Sequence, residues 1–231
     1  MSILLLSTNL LGDEAYIQVE NLVPPDTPQT FRICPEELIA DDVSWAVGEW
    51  NRALALYGTP VKMEVGDANC TARIISVDSP LQGESGGTIE IPLREGVNTS
   101  QLTEQLRFWM LGEFKVTVWR AEDVRLRRAI ILHELGHVLL LAHIVGFRGL
   151  GPKPVMLDNM DPNNPPTALT DLDAYHAWLA YSFCRERACG MLHVRMPNPL
   201  LTSLVATSTS AVVAAVLAGV GGGRVGGRGK G

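Results

Sequence analysis

Three of the chain's five histidines fall within eleven residues, in a segment (131–143) that reads ILHELGHVLLLAH. On a helix, His133 and His137 lie about 40° apart around the axis and ~6 Å apart along it, so both imidazoles can reach one ion at ~2.0–2.1 Å. Glu134 follows the first of them, where its carboxylate can face water activated by that ion and take its proton. Zn2+ suits such a donor set, and it would polarise the carbonyl under attack. The five-residue pattern HExxH alone arises by chance in roughly one chain in two hundred of this size. His143 lowers that to roughly one in ten thousand, so the three histidines are read as one metal site. If the helix ran on through His143, that residue would sit ~15 Å along the axis from His133 and ~9 Å from His137. Ligands of one ion cannot be so far apart, and the helix must therefore end near Leu140.

The elements around this segment follow from hydrophobic periodicity. Residues 30–34 (TFRIC) read as a strand stopped by Pro35. Residues 42–57 place Val43, Ala46, Val47, Trp50, Ala53 and Leu54 at helical spacing, with Gly58 as a stop. Residues 71–77 and 88–93 read as strands, with Gly83, Gly86 and Gly87 in the turn region between them. The long helix spans 121 to about 140, a Gly- and Pro-rich loop covers 145–166, and an amphipathic helix closes the pattern over 169–181. This order implies an α+β or mixed α/β fold.

With these residues in view, the chain resembles the metzincin superfamily of zinc metallopeptidases, whose pattern HExxHxxGxxH precedes a methionine turn. His133, Glu134, His137 and His143 match ligand, base, ligand and ligand, and Pro154-Val155-Met156 resembles the turn that sets Met156 beneath the metal. The stretches TFRICPEELIADDVSWAVGEWNRAL, TARIISVD, GGTIEIPL and LTDLDAYHAWLAY are similar to the first strand and helix, the next strand, the substrate-side edge strand and the closing helix of matrixin-like catalytic domains. The resemblance covers residues 30–181 and implies a twisted sheet, an active-site helix, an irregular C-terminal subdomain and cleavage of polypeptides. Two positions depart from the pattern. Leu140 stands where the family has glycine, and Ile144 matches no subfamily. A leucine at positive φ costs about 1–2 kcal/mol, which metal binding on the order of ten kcal/mol can offset.

Two other functions compete with peptide hydrolysis. One is a catalytically silent, zinc-stabilised binding or adhesion module, against which Glu134 argues because a structural site has no need of a base. The other is a two-histidine site completed by a downstream carboxylate, with Asp171, Asp173 and Glu186 as candidates.

Composition bounds the remainder. Hydrophobic residues make up 46% of the 231-residue chain and the net charge is −6, so a packed core is feasible and a nucleic-acid partner is disfavoured. The chain reads as an N-terminal extension (1–29), a catalytic domain (30–183), a linker with a cysteine pair (184–198), an apolar helix that could cross a membrane (199–220, uncharged over 200–220) and a Gly-rich basic tail (221–231). Residues 1–11 lack a basic leader and a cleavage site and do not read as a secretory signal. Cys34, Cys70, Cys184 and Cys189 allow three pairings, and Cys34 falls within the first strand. Cysteine pairs and two sequons, at Asn69 and Asn98, favour an extracellular or cell-surface, membrane-anchored protein. His176 and His193 stand alone and read as packing or surface residues. Asp158, Asp161, Asn163 and Asn164, followed by Pro165 and Pro166, read as an Asx-rich turn rather than a calcium loop.

Overall fold

Alternation of apolar and polar side chains builds the sheet on which the site rests. A computed structural model describes residues 13–19, 29–81, 86–90, 113–149, 151–183 and 190–196. Along the chain these form β1 (Asp13–Val19), β2 (Thr30–Pro35), α1 (Ala40–Leu56), β3 (Lys62–Val65), β4 (Ala72–Val77), β5 (Gly87–Glu90) and β6 (Phe114–Trp119). There follow α2 (Val124–Val138), β7 (Ile144–Arg148), α3 (Asp171–Trp178), a π-helical turn (Leu179–Phe183) and β8 (Gly190–Met196). Among the described residues, five strands join in the order β3-β2-β4-β6-β5. All neighbours are parallel except β5, which runs antiparallel to β6 at the edge. Phe31 and Ile33, Ala72 and Ile74, and Phe114, Val116 and Val118 face the core at every second position, as strands require. The fold is mixed α+β.

Asp41 and Asp42 lie in the first turn of α1, where the helix dipole favours acids. Its buried residues Val43, Ala46, Val47, Trp50 and Leu54 recur at helical spacing and face the core. The Asp123 side chain caps α2 by accepting from the Arg125 backbone amide at 2.8 Å. From Ala129 onward α2 is almost fully buried. It packs against β5, β6 and α1. The Trp50 indole donates to the Leu132 carbonyl at 2.9 Å, fixing α1 against α2 beside the histidines. Asp42 reinforces the pair by accepting from Arg127 at 2.6 Å and Arg128 at 2.8 Å. Burial raises its carboxyl pKa, but the hydrogen bonds from Arg128 and Arg127 more than offset this and hold it low.

Three segments read as irregular contain strands. The N-terminal extension (1–29) supplies β1; the loop at 145–166 begins within β7; and the linker at 184–198 supplies β8. These strands pair antiparallel in the order β7-β1-β8, with Ile17 opposite Ile144 and Tyr16 opposite His193. The partners of each lie far away in sequence, so alternation such as buried Ala15 and Ile17 about exposed Tyr16 gives little local signal. β6 was likewise unread, although it lies between β4 and β5. Of the three possible pairings, the structure shows Cys34 bonded to Cys70. The other cysteines and residues 197–231 lie outside the described residues. No described helix is long and apolar enough to cross a membrane.

Candidate metal centre

His133 and His137 stand one turn apart on the last two turns of α2, and the helix stops immediately beyond them. Leu140 adopts φ 62°, in the left-handed region. The Leu140 amide donates to the His137 carbonyl at 2.9 Å and the Leu141 amide to the Gly136 carbonyl at 3.0 Å. This hydrogen-bond pair is the Schellman closure, usually made around glycine. The chain then turns back, and His143 reaches the other two rings. Its Nε2 lies 3.2 Å from His133 Nε2, which is 3.1 Å from His137 Nε2.

These three histidines form a group able to hold a metal ion, with one ligand atom from each lying within 4.8 Å of the others. His133 Nδ1 donates to the Val155 carbonyl and His137 Nδ1 to the Leu141 carbonyl, both at 2.8 Å. A carbonyl only accepts, so each Nδ1 carries the proton and each Nε2 presents a lone pair to the cluster. Lone pairs facing each other at 3.1 Å repel unless a cation is shared between them. Tetrahedral bonds of 2.0–2.1 Å place donor atoms about 3.3 Å apart, close to the observed spacing. The donor set therefore fits zinc. Burial, followed by the neighbouring His137 ring, pushes the His133 pKa down to about 3, against the pull of the Val155 hydrogen bond. Burial brings His137 to about 4 and also lowers His143. All three are neutral near pH 7, the protonation state a ligand needs.

The segment at Val155–Met156 braces these histidines. Val155 holds His133, and the Met156 carbonyl accepts from the Ile144 amide at 2.7 Å, next to His143. Met156 is fully buried, and a Cβ at Gly136 would lie 2.2 Å from its Sδ. Glycine inside α2 costs about 1 kcal/mol relative to alanine, and this close approach accounts for it. Asp173 fixes the turn in its place. Its carboxylate accepts from the Val155 and Met156 amides at 3.1 and 3.0 Å and from the Thr170 amide and hydroxyl at 2.8 Å. With Thr170 it also forms the capping box of α3. Burial raises its carboxyl above the usual range, against those hydrogen bonds.

Glu134 is buried on α2, facing the edge strand. A Cβ at Gly87 in β5 would come within 2.4 Å of its Oε1, so the glycine gives the carboxylate its room. Gly86, at φ +126°, leaves similar clearance for Ile130.

Among the described residues, the metal-ligating group comprises these three histidines. Asp173 is engaged in the turn, Asp171 opens α3, Glu186 lies outside the described residues, His176 is buried in α3, and His193 belongs to β8. Asp161 accepts from the Asn163 amide at 3.0 Å, as an Asx turn does. Sequence reasoning missed Gly87, read as part of a turn, and the roles of Asp173 and Tyr181. The T-x-x-D spacing of Thr170 and Asp173 was the one signal that could have marked the capping box. Compared with models of protein families and with curated proteins, the chain matches none.

Proposed function

We propose that this chain is a zinc-dependent endopeptidase of the metzincin type, with a matrixin-like catalytic domain. The observation that carries the reading is the approach of His137 and His143 to His133 at 3.1 and 3.2 Å, with all three ligand atoms within 4.8 Å of one another, and a buried glutamate on the same helix. Zinc, when bound there, would supply Lewis acidity toward water and toward the peptide carbonyl. Glu134 then takes the proton from the attacking water as the new C–O bond forms. It returns that proton to the leaving amine as the C–N bond breaks. His133 and His137, locked by backbone carbonyls, keep Nε2 toward the ion throughout. An extended polypeptide would bind by adding a strand to the edge at β5, next to Glu134. The Cys34–Cys70 bond supports placement in an oxidising, extracellular or cell-surface compartment.

Glu134→Ala should retain about one zinc per chain and lose cleavage of casein-like substrates by at least a hundredfold, because the base is removed while the ligands stay. His143→Ala should lose the zinc itself. Equal cleavage by wild type and Glu134→Ala would place the activity elsewhere, and full zinc loading of His143→Ala would remove the third ligand from the reading.

A further inference from the structure

We propose that Tyr181 is the positioning residue that ends α2 and thereby brings His143 to the other two histidines, an inference that rests on the three-histidine reading of the site. In a helix continued past Leu140, the Leu139 carbonyl would accept from the amide four residues on, that of His143. In the structure the Tyr181 hydroxyl donates to that carbonyl at 2.9 Å, with both residues buried. The Schellman pair satisfies the carbonyls of Gly136 and His137 from within the turn. Tyr181 supplies Leu139 from outside it.

This contact matters because residue 140 is leucine. Glycine would stop the helix at little conformational cost, whereas leucine resists φ 62° and favours continuing the helix. Without the phenol hydroxyl, a buried carbonyl loses its donor, and one more helical turn would restore one from His143 at the expense of the site. Tyr181 lies in the π-helical turn Leu179–Phe183, where the closing helix changes its winding. Such turns are uncommon and concentrate at functional positions. Burial also pushes the phenol well above its usual pKa, so it remains a donor across the working pH range.

Tyr181→Phe keeps the ring and removes only the hydroxyl, and the test reads metal-stripped full-length protein before and during titration with Co2+. Backbone carbon shifts of residues 139–143 should move from a left-handed Leu140 toward helical values. Co2+ affinity should fall about tenfold, the effect of one buried hydrogen bond, and the visible absorption per bound cobalt should change as one imidazole withdraws. A purely structural role would lower thermal stability and leave all three readouts as in wild type, which would overturn the proposal. Adding Tyr181→Phe to Leu140→Gly should cost less than twofold in affinity, since glycine makes the turn unaided. A tenfold loss there too would also overturn it, and this comparison serves if the single variant does not fold. If wild type takes up no Co2+, the metal reading fails while the carbon shifts still decide the part played by Tyr181.

Discussion

Leu140 holds a backbone conformation that glycine adopts freely, and its surroundings explain the exchange. The side chain is 4% exposed and belongs to the main apolar cluster. Left-handed backbone costs a residue with a β-carbon about 1–2 kcal/mol. Deleting a buried leucine costs roughly 2–5 kcal/mol, so burial outweighs strain. Leu140→Gly is therefore expected to lower the unfolding free energy by about 1–4 kcal/mol, measured by urea denaturation of metal-free protein. A variant more stable than wild type would mean that strain dominates at this turn. At this scale the cluster of three histidines was legible in the sequence, because reaching one ion from their spacing requires the helix to end near Leu140. Tyr181 and Gly87 were not. The hydroxyl of Tyr181 meets its carbonyl 42 residues away, and Gly87 has meaning only through its clearance from Glu134.

The helices and strands form two linked arrangements, and the link is the N-terminus of α3. Asp173 reaches from that cap to the Val155 and Met156 amides, while the carbonyls of those residues hold His133 and the strand that follows His143. Loosening the turn should therefore loosen two ligands together. Asp173→Asn keeps the size but replaces one acceptor oxygen with a donor facing amide hydrogens. Hydrogen bonds to a charged group contribute about 1.5–3 kcal/mol, so a stability loss of about 2–3 kcal/mol is expected. Zinc affinity should fall by at least tenfold, measured by competition with a chromogenic chelator. If stability falls and zinc affinity stays at the wild-type level, the turn does not govern the ligands. At the element scale, α1, α2, β2 and β4 were legible because long amphipathic or β-branched runs carry their own period. The strands β1, β7 and β8 were not, since β1 pairs Asp13 with Met196 and Ile17 with Ile144 across most of the chain. Pairings so distant leave a weak local signature.

Across the whole molecule, the five-stranded sheet carries the core, and one covalent link braces its centre. Cys34 is next to last in β2 and Cys70 lies just before β4, its parallel neighbour, so the bond ties together two adjacent strands of the sheet. Four cysteines permitted three pairings, and only the approach of these strands selects this one. The bond spans a sequence separation of 36, for which loop-closure entropy suggests about 3–4 kcal/mol of stabilisation. The surface ion pairs are weaker braces. Arg73–Glu113 and Arg120–Asp78 are both substantially exposed, and such pairs contribute about 0–1 kcal/mol each. Replacing both Cys34 and Cys70 with serine should thus lower the unfolding free energy by about 2–4 kcal/mol, more than removing either ion pair. Urea denaturation of the double variant against wild type measures the difference, and a change below ~1 kcal/mol would show that the bond does not brace the sheet. The same variant bears on compartment. If the chain is made where disulfides persist, its yield of folded protein should depend on Cys34 and Cys70 in an oxidising secretory host and be indifferent to them in a reducing cytosol. Equal yield of wild type and double variant in both hosts would remove the disulfide as support for an external location.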